Sequence, residues 1–264
     1  MSDRSFYAII QYVGHGFAGW QRQPKSRTVQ GVLEEGFSQL VDRRVVTTAA
    51  GRTDAGVHAL GQVVSFEAPD KWHPRDLQLA LNSVTPSDIW VAEVGGAPPG
   101  FHATKHASGR RYRFVLGCDS GARSPFRSPY EWALGEAADP ERLTAAARLF
   151  LGEHDFRSFS AVGQEKTHYR CRVTICRWRE RPRQEGFIFN IEADRFLHRM
   201  VRFMVGAMVD VGRRRRPLTD ISTLLAATCN AEASAPAPPQ GLYMLGALYP
   251  HPELRRVNDF VLDL

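Results

Sequence analysis

Val45-Val-Thr-Thr-Ala49, Gly51-Arg-Thr-Asp-Ala-Gly-Val-His-Ala-Leu60 and Gln62-Val-Val-Ser-Phe66 read in succession as strand, loop and strand. The flanking runs are short and rich in β-branched residues, which suits strands. Between them, glycines and small residues surround a single carboxylate, Asp54, with Arg52 two positions before it. Glycine lets a backbone turn tightly and approach a neighbour closely. Arg52 offers a forked positive charge suited to a phosphate. A lone Asp held in such a loop can serve as nucleophile or base when water is excluded. The alternative is a structural turn in which Asp54 caps its own backbone. Catalytic groups tend to sit on short loops gripped by a rigid sheet, and this loop is framed that way.

Working outward, Phe6–Tyr12 reads as a strand. Thr28 can cap a helix from about Val29 to Leu40, with Val29, Leu33, Phe37 and Leu40 at helical spacing. Pro74 opens a helix through Leu77, Ala80 and Leu81. Strands follow at Asp88–Val94 and Gly109–Leu116. Gly117–Tyr130, rich in Gly, Ser, Pro and Arg, reads as a loop or linker. Then come a helix from Pro140 to Leu151, strands at Arg172–Trp178 and Gly186–Glu192, helices at Leu197–Val211 and Leu218–Ala227, and a last strand at Leu245–Leu248. Ala231–Pro239 reads as a second flexible loop. Strand, helix, strand, strand, helix, strand in the first half suggests a split βαβ unit, and the second half is looser but similar. The expected fold class is therefore α+β: two related split-βαβ (ferredoxin-like) halves sharing an antiparallel sheet with a central cleft. Residues 1–107 form the half carrying the Asp54 loop, 108–143 a connecting strand and linker, and 144–264 the C-terminal half.

The chain has 264 residues, 43% hydrophobic and 23% charged, which is enough for a full core. No apolar run approaches the length of a membrane span, and the first six residues hold no apolar signal core. Cys118, Cys171, Cys176 and Cys229 fit no common zinc spacing and read as reduced thiols of a cytoplasmic protein. The formal net charge is +6, dominated by arginine. Arg110–Arg113 and Arg177–Arg181 interleave aromatics with arginine, which suits bases and phosphates presented together. Arg170, Arg172 and the run Arg213–Arg216 add to the basic character; such a run is otherwise a solvated surface.

The helix at Leu197 carries an apolar stripe of Leu197, Met200, Val201, Met204, Val205 and Met208. Arg202 lies at the edge of the stripe, with Arg199, Gly206 and Arg213 on the opposite face. Arg202 either snorkels to water or reaches into a cleft and meets a carboxylate.

These residues resemble the tRNA pseudouridine synthase A family. The Asp54 loop, with Arg52, Thr53, Gly56, Val57 and His58, looks like its signature. Five further stretches match in order: Gly19–Gln23 with Thr28–Gly31; Phe101–Ala103 with Arg110–Arg113; Leu151–Phe156 with Ser158 and Phe159; Met200–Arg202; and Ala237–Tyr243. Together they span about residues 6 to 249. Tyr12-Val-Gly14, Arg199 and Phe203 depart from the family pattern, and the second of these puts any role of His198 or Arg199 in doubt.

The resemblance implies conversion of uridine to pseudouridine at positions 38, 39 and 40 of the tRNA anticodon stem-loop. The bond from C1′ to N1 breaks, the uracil turns, and the link reforms through C5. No redox change or phosphoryl transfer occurs, so no cofactor, metal or nucleotide is expected. Asp54 is the candidate nucleophile, or the carboxylate that removes a ribose proton. Tyr112 would stack on the uracil and assist proton transfer. Arg202 would pair with Asp54. Leu242 and Tyr243 would wall the pocket, or pack. The target uridine must leave its stack, and contacts to phosphates repay that cost; Arg22, Arg52, Arg110 and Arg213–Arg216 are the candidates. The family implies a homodimer, one tRNA touching both subunits, and no membrane. A silent RNA-binding protein on the same scaffold, a synthase for another RNA, and a hydrolase using His58 or His154 are the competing readings.

Overall fold

The computed structural model describes residues 2–161, 168–182, 185–227 and 229–260. In chain order its main elements are β1 (Asp3–Tyr12), α1 (Val29–Val41), β2 (Thr48–Ala49), β3 (His58–Pro69), α2 (Pro74–Val84) and β4 (Ile89–Gly96). They continue with β5 (Gly109–Gly117), β6 (Trp132–Ala133), α3 (Pro140–Arg148), β7 (Gly152–Asp155), β8 (Arg170–Glu180) and β9 (Gly186–Ala193). The last are α4 (Met200–Gly212), α5 (Thr219–Ala226), β10 (Leu242–Leu248) and α6 (Arg255–Asp259).

The chain forms two compact units. One comprises the residues up to Arg110 together with those from Tyr243 onward; the other is Arg111–Leu242. The second unit is thus an insertion in the sequence of the first. The C-terminal strand, which the sequence reading grouped with residues 144–264, belongs to the unit that carries the Asp54 loop.

In the first unit β1 is flanked by β4 and β3, both antiparallel to it. Its residues Phe6 to Ile10 are buried on both faces, which explains an unbroken apolar run where a half-solvated strand would alternate. β2 lies antiparallel on β3, and β10 lies parallel to β3 with Tyr243 opposite His58. The strand order among the first four is β4-β1-β3-β2, in a β-α-β-β-α-β succession. Thr28 Oγ1 accepts from the Gly31 amide, capping α1 as its position suggests. Pro74 occupies the first turn of α2.

In the second unit the order is β5-β9-β8-β7, with short β6 parallel to β5. β7, β8 and β9 pair antiparallel in turn, so this unit's strand order differs from that of the first. β8 alternates exposed arginines with buried Cys171, Val173, Cys176 and Trp178. Trp178 packs on Phe189 of β9, and its indole N–H points at Met208 Sδ on α4. Buried Leu143, Ala146 and Ala147 of α3 add to this core. Both units are α+β with mostly antiparallel strands. None of the four cysteines is in a disulfide. No described helix is long and apolar enough to cross a membrane.

Ala231–Pro239 is not the flexible loop its composition suggests. Ala237 and Ser234 are buried, and Arg216 donates to Ser234 Oγ and to the Glu232 carbonyl. Gly206 of α4 makes this possible: a Cβ there would lie 2.1 Å from the Ala235 carbonyl oxygen. The face of α4 that periodicity left to Gly206 is therefore covered by backbone.

Candidate active site

The Asp54 loop is held at every turn. At its entry, the Ala50 amide donates to the Val63 carbonyl at 2.8 Å. The fully buried Gln62 side chain donates to the Gly51 carbonyl at 2.6 Å and faces the Gly51 amide at 3.4 Å. Arg110 donates through Nε to the Ala50 carbonyl at 3.1 Å, and through its other nitrogens to the carbonyls of Thr104 and Ala107. Its guanidinium is thus a strut between the loop's stem and the 104–107 turn.

Thr53, the residue before Asp54, is fixed on two sides. Its hydroxyl shares a buried 2.7 Å hydrogen bond with the Tyr12 hydroxyl, and its carbonyl accepts from the Trp20 amide at 3.0 Å. Tyr12 follows a register shift in β1: Ile10 pairs with Gln62, whereas Tyr12 pairs with Ala59. Such an irregularity re-aims a side chain. Burial pushes the Tyr12 phenol up to about 12, so it stays a neutral hydrogen-bonding group.

Past Asp54, the Val57 amide closes a turn onto the Asp54 carbonyl at 3.2 Å, and the Gly56 amide donates to Phe17. Gly14 and Gly19 bring the 13–20 segment against this loop. A Cβ on Gly14 would fall 2.1 Å from the Val57 carbonyl oxygen. One on Gly19, whose φ is +99°, would fall 2.8 Å from the Thr53 carbonyl oxygen and 3.2 Å from the Asp54 carbonyl carbon. His58 is buried; its Nδ1 accepts from the Gly14 amide at 3.1 Å, and its ring stacks on Tyr243 at 4.8 Å. The hydrolase reading gave His58 a catalytic role, but here the ring ties three chain segments together. His154 lies elsewhere, on β7, with Nε2 on the Leu151 carbonyl. The outcome is a half-buried Asp54 at the apex of a loop whose stem and shoulders are locked, with Arg52 exposed beside it.

Within the second unit, Tyr112 lies on β5, 8% exposed, its ring edge-on to Phe196 at 5.1 Å. Arg202 sits in the first turn of α4 and is half-buried. Its Nε donates to the Ala237 carbonyl at 2.7 Å, while the Ala237 amide donates back to the Arg202 carbonyl. The side chain is clasped by the 231–239 segment, so it does not snorkel along a bare helix face. Arg199, before this helix, has φ +60°, a left-handed conformation uncommon for arginine. Leu242 is buried at the start of β10.

The remaining arginine candidates divide. Arg22 is half-exposed and pairs at 3.3 Å with Glu34, a buried carboxylate that also accepts from Gln30 and Thr47. Arg213 pairs with Glu136, Arg214 with Asp139, Arg215 with Glu136 and Arg216 with Asp220. The four-arginine run is therefore matched by carboxylates within its own unit. Arg170 and Arg172 likewise share Glu153. Sequence reasoning missed Gly14, Tyr12, Trp20 and Gln62 as parts of the loop's housing. The only available signal was the Gly-rich spacing of residues 14–19.

Comparison with known proteins agrees with this geometry. A family described as tRNA pseudouridine synthase matches residues 8–104 and 146–250. That span includes the Asp54 loop, the Tyr12, Gln62 and 13–20 parts of its housing, Arg202 and Tyr243, and leaves Arg110 and Tyr112 between its two blocks. The tRNA pseudouridine synthase A of Methylacidiphilum infernorum is 41% identical over 243 residues, covering 91% of this chain and 94% of the relative. The protein of the same name from Lactobacillus acidophilus is 36% identical over 247 residues, with 91% and 92% covered. That from Escherichia coli O1:K1 is 39% identical over 242 residues, with 91% and 88% covered. With a match over most of its length and a rigid carboxylate loop where the signature falls, this chain belongs to the tRNA pseudouridine synthase family, isomerases that act on tRNA.

Proposed function

We propose that this protein isomerises uridine to pseudouridine at positions 38, 39 and 40 of the tRNA anticodon stem-loop, with Asp54 as the reacting carboxylate and no cofactor. The observation that carries this reading is the housing of Asp54. Tyr12, Gln62, Arg110 and the 13–20 segment fix the backbone on both sides of it, while its own side chain is only half-buried. A reacting carboxylate gains from a frame that fixes the backbone on both sides of it, because the reacting atom is placed before substrate arrives.

In this reading the extruded nucleotide meets Asp54 at C1′ or at the ribose C2′ proton, and either route frees the uracil to turn and reattach through C5. The C5 proton then leaves to solvent and N1 takes up a proton in its place, so the isomerisation balances without an external reactant. Tyr112 is assigned the stacking of the uracil; its edge contact with Phe196 restrains the ring that would do so. Arg202 is assigned the supply of positive charge that keeps a carboxylate ionised. Arg52 and Arg22, both with exposed guanidinium surface, are assigned to phosphates. Leu242 and Tyr243 are assigned to the pocket wall. Relatedness of the two units as duplicated halves, a cytoplasmic location and a homodimer that presents one tRNA to both subunits complete the proposal, on the strength of the family resemblance.

The test is nucleotide-resolution mass mapping of pseudouridine in unmodified tRNA treated with the wild-type protein and with Asp54→Asn. Product confined to positions 38–40 with the wild type, and none with a variant that still binds tRNA, is the expected result. Turnover by Asp54→Asn would remove that side chain from the mechanism; product at other positions would move the substrate assignment.

A further inference from the structure

The segment between β5 and β6 is a rigid finger that ends in an exposed ring. Its turns are closed by backbone bonds: Ser124 N to the Gly121 carbonyl at 3.0 Å, Arg127 N and Ser128 N to the Ser124 carbonyl at 2.9 and 2.8 Å, and Tyr130 N to the Arg127 carbonyl at 2.8 Å. Its base is stitched by charge. Arg127 grips the Asp119 carboxylate with two nitrogens and donates through Nε to Glu131 at 2.7 Å. Glu131 is only 3% exposed and is also paired with Arg181, just past the end of β8. Beside Arg127, Asp119 is held below the usual carboxylate range by the guanidinium it accepts from. At the tip, Phe126 is 87% exposed, with Pro125 and Arg123 exposed next to it and the Tyr130 ring 43% exposed four residues on.

Nothing in the folding of this unit needs that ring outside. Burying a phenyl group stabilises a fold, and a loop this firmly closed gives up that gain at Phe126. The chemistry around the ring selects a partner. From Ser120 to Tyr130 there is no carboxylate, and the residues are small, hydroxylated, proline or arginine. A protein-docking surface presents a contiguous apolar patch. Here the other large exposed apolar side chains among the described residues are Val46, Leu79, Trp90 and Leu151, none of them on this segment. Exposed flat rings with an exposed guanidinium, Arg123, beside them are what nucleobases stack upon.

We propose that Phe126, supported by Arg123 and Tyr130, is a stacking finger for a tRNA base other than the reacting uridine. It fixes where the RNA rests and takes no part in bond breaking. The proposal rests on tRNA as the substrate.

It is tested with unmodified tRNA at fixed salt, comparing wild type, Phe126→Ala, Phe126→Leu and Phe126→Trp for binding, KM and kcat, with melting temperatures and sedimentation on the same samples. Alanine and leucine are expected to raise Kd and KM about ten-fold or more with kcat unchanged, and tryptophan to bind at least as tightly as wild type. A Kd for Phe126→Ala equal to wild type overturns the finger while leaving the synthase reading intact. So does full binding by leucine, which keeps the apolar bulk but not the plane. A change in oligomeric state with unaltered tRNA binding assigns the ring to a second copy of this chain and also overturns it. A wild-type protein that neither binds nor modifies tRNA defeats the synthase reading itself.

Discussion

Gly19→Ala is the most direct probe of the housing around Asp54. With φ at +99°, this position lies where a side chain costs about 1–3 kcal/mol in backbone strain alone. The new methyl carbon would also sit 2.8 Å from the Thr53 carbonyl oxygen and 3.2 Å from the Asp54 carbonyl carbon and the Ala55 amide nitrogen. All three are backbone atoms, so relief requires the Asp54 loop or the 17–20 segment to retreat by several tenths of an ångström. At roughly 2–4 °C per kcal/mol for a chain of this size, the melting temperature should fall by about 3–10 °C. A displacement of about 1 Å at a reacting group costs on the order of a hundred-fold in rate. The partial shift here should therefore cost about ten- to a hundred-fold in kcat, with little change in KM. Release of tritium from tRNA labelled at uracil C5 reports turnover, because rejoining through C5 expels that hydrogen. Gly100→Ala is the matched control: its φ is +71° but its added carbon meets nothing within 4 Å. It should pay the strain in melting temperature and keep its kcat. Wild-type kcat in Gly19→Ala, or an equal loss in Gly100→Ala, would refute the claim that the loop's position limits the reaction.

Three other outcomes are expected. Arg110→Met removes three donations to main-chain carbonyls, one at the loop's stem and two on the 104–107 turn, so it should lower stability by about 2–3 kcal/mol and depress turnover; Arg110→Lys, which has no fork, should not restore either in melts and tritium release. Arg214→Gln with Arg215→Gln should leave the slope of log Kd for tRNA against log salt unchanged, since these side chains pair with Asp139 and Glu136; a slope shallower by about 1 or more would return them to the RNA surface. Tyr12 titrates near 10 when unfolded and up to about 12 when folded, so its contribution is intact below pH 10 and declines as pH rises from 10 to 12, by at most about 3 kcal/mol. Denaturant melts at pH 8 and pH 11 should show that the wild type loses stability over this interval and that Tyr12→Phe loses less.

Local signals were legible wherever local physics decides. β1, α1, α2, β8 and β9 follow from apolar periodicity, Thr28 and Pro74, and they fall within a few residues of the expected spans. Asp54 stood out because glycine and arginine around one carboxylate make an unusual loop. The housing did not, because its parts come from far along the chain. Gln62 looks like an ordinary strand residue until its amide is seen on Gly51, and the bonds of Arg110 to the Ala50, Thr104 and Ala107 carbonyls join segments far apart in the sequence. The run at Arg213–Arg216 showed its charge but not its partners, because the carboxylates that match it lie on separate segments, at Glu136, Asp139 and Asp220. Composition also misjudged Ala231–Pro239, whose order depends on the missing side chain of one helical glycine.

The strand order has a bearing on synthesis. His58 stacks on Tyr243, and β3 receives β10 as its parallel neighbour, so the shoulder of the Asp54 loop is completed by residues that leave the ribosome long after the loop itself. With the whole Arg111–Leu242 unit made in between, the interval is roughly 10 to 40 s at ordinary elongation rates. During that time the His58–Ala59 end of β3, beyond the stretch that β2 covers, lacks its β10 partner, and such an edge invites misassembly. A nascent chain that has already made its carboxylate loop must wait for β10 before that shoulder is braced, which ties the onset of activity to synthesis of the Arg111–Leu242 unit and the strand after it.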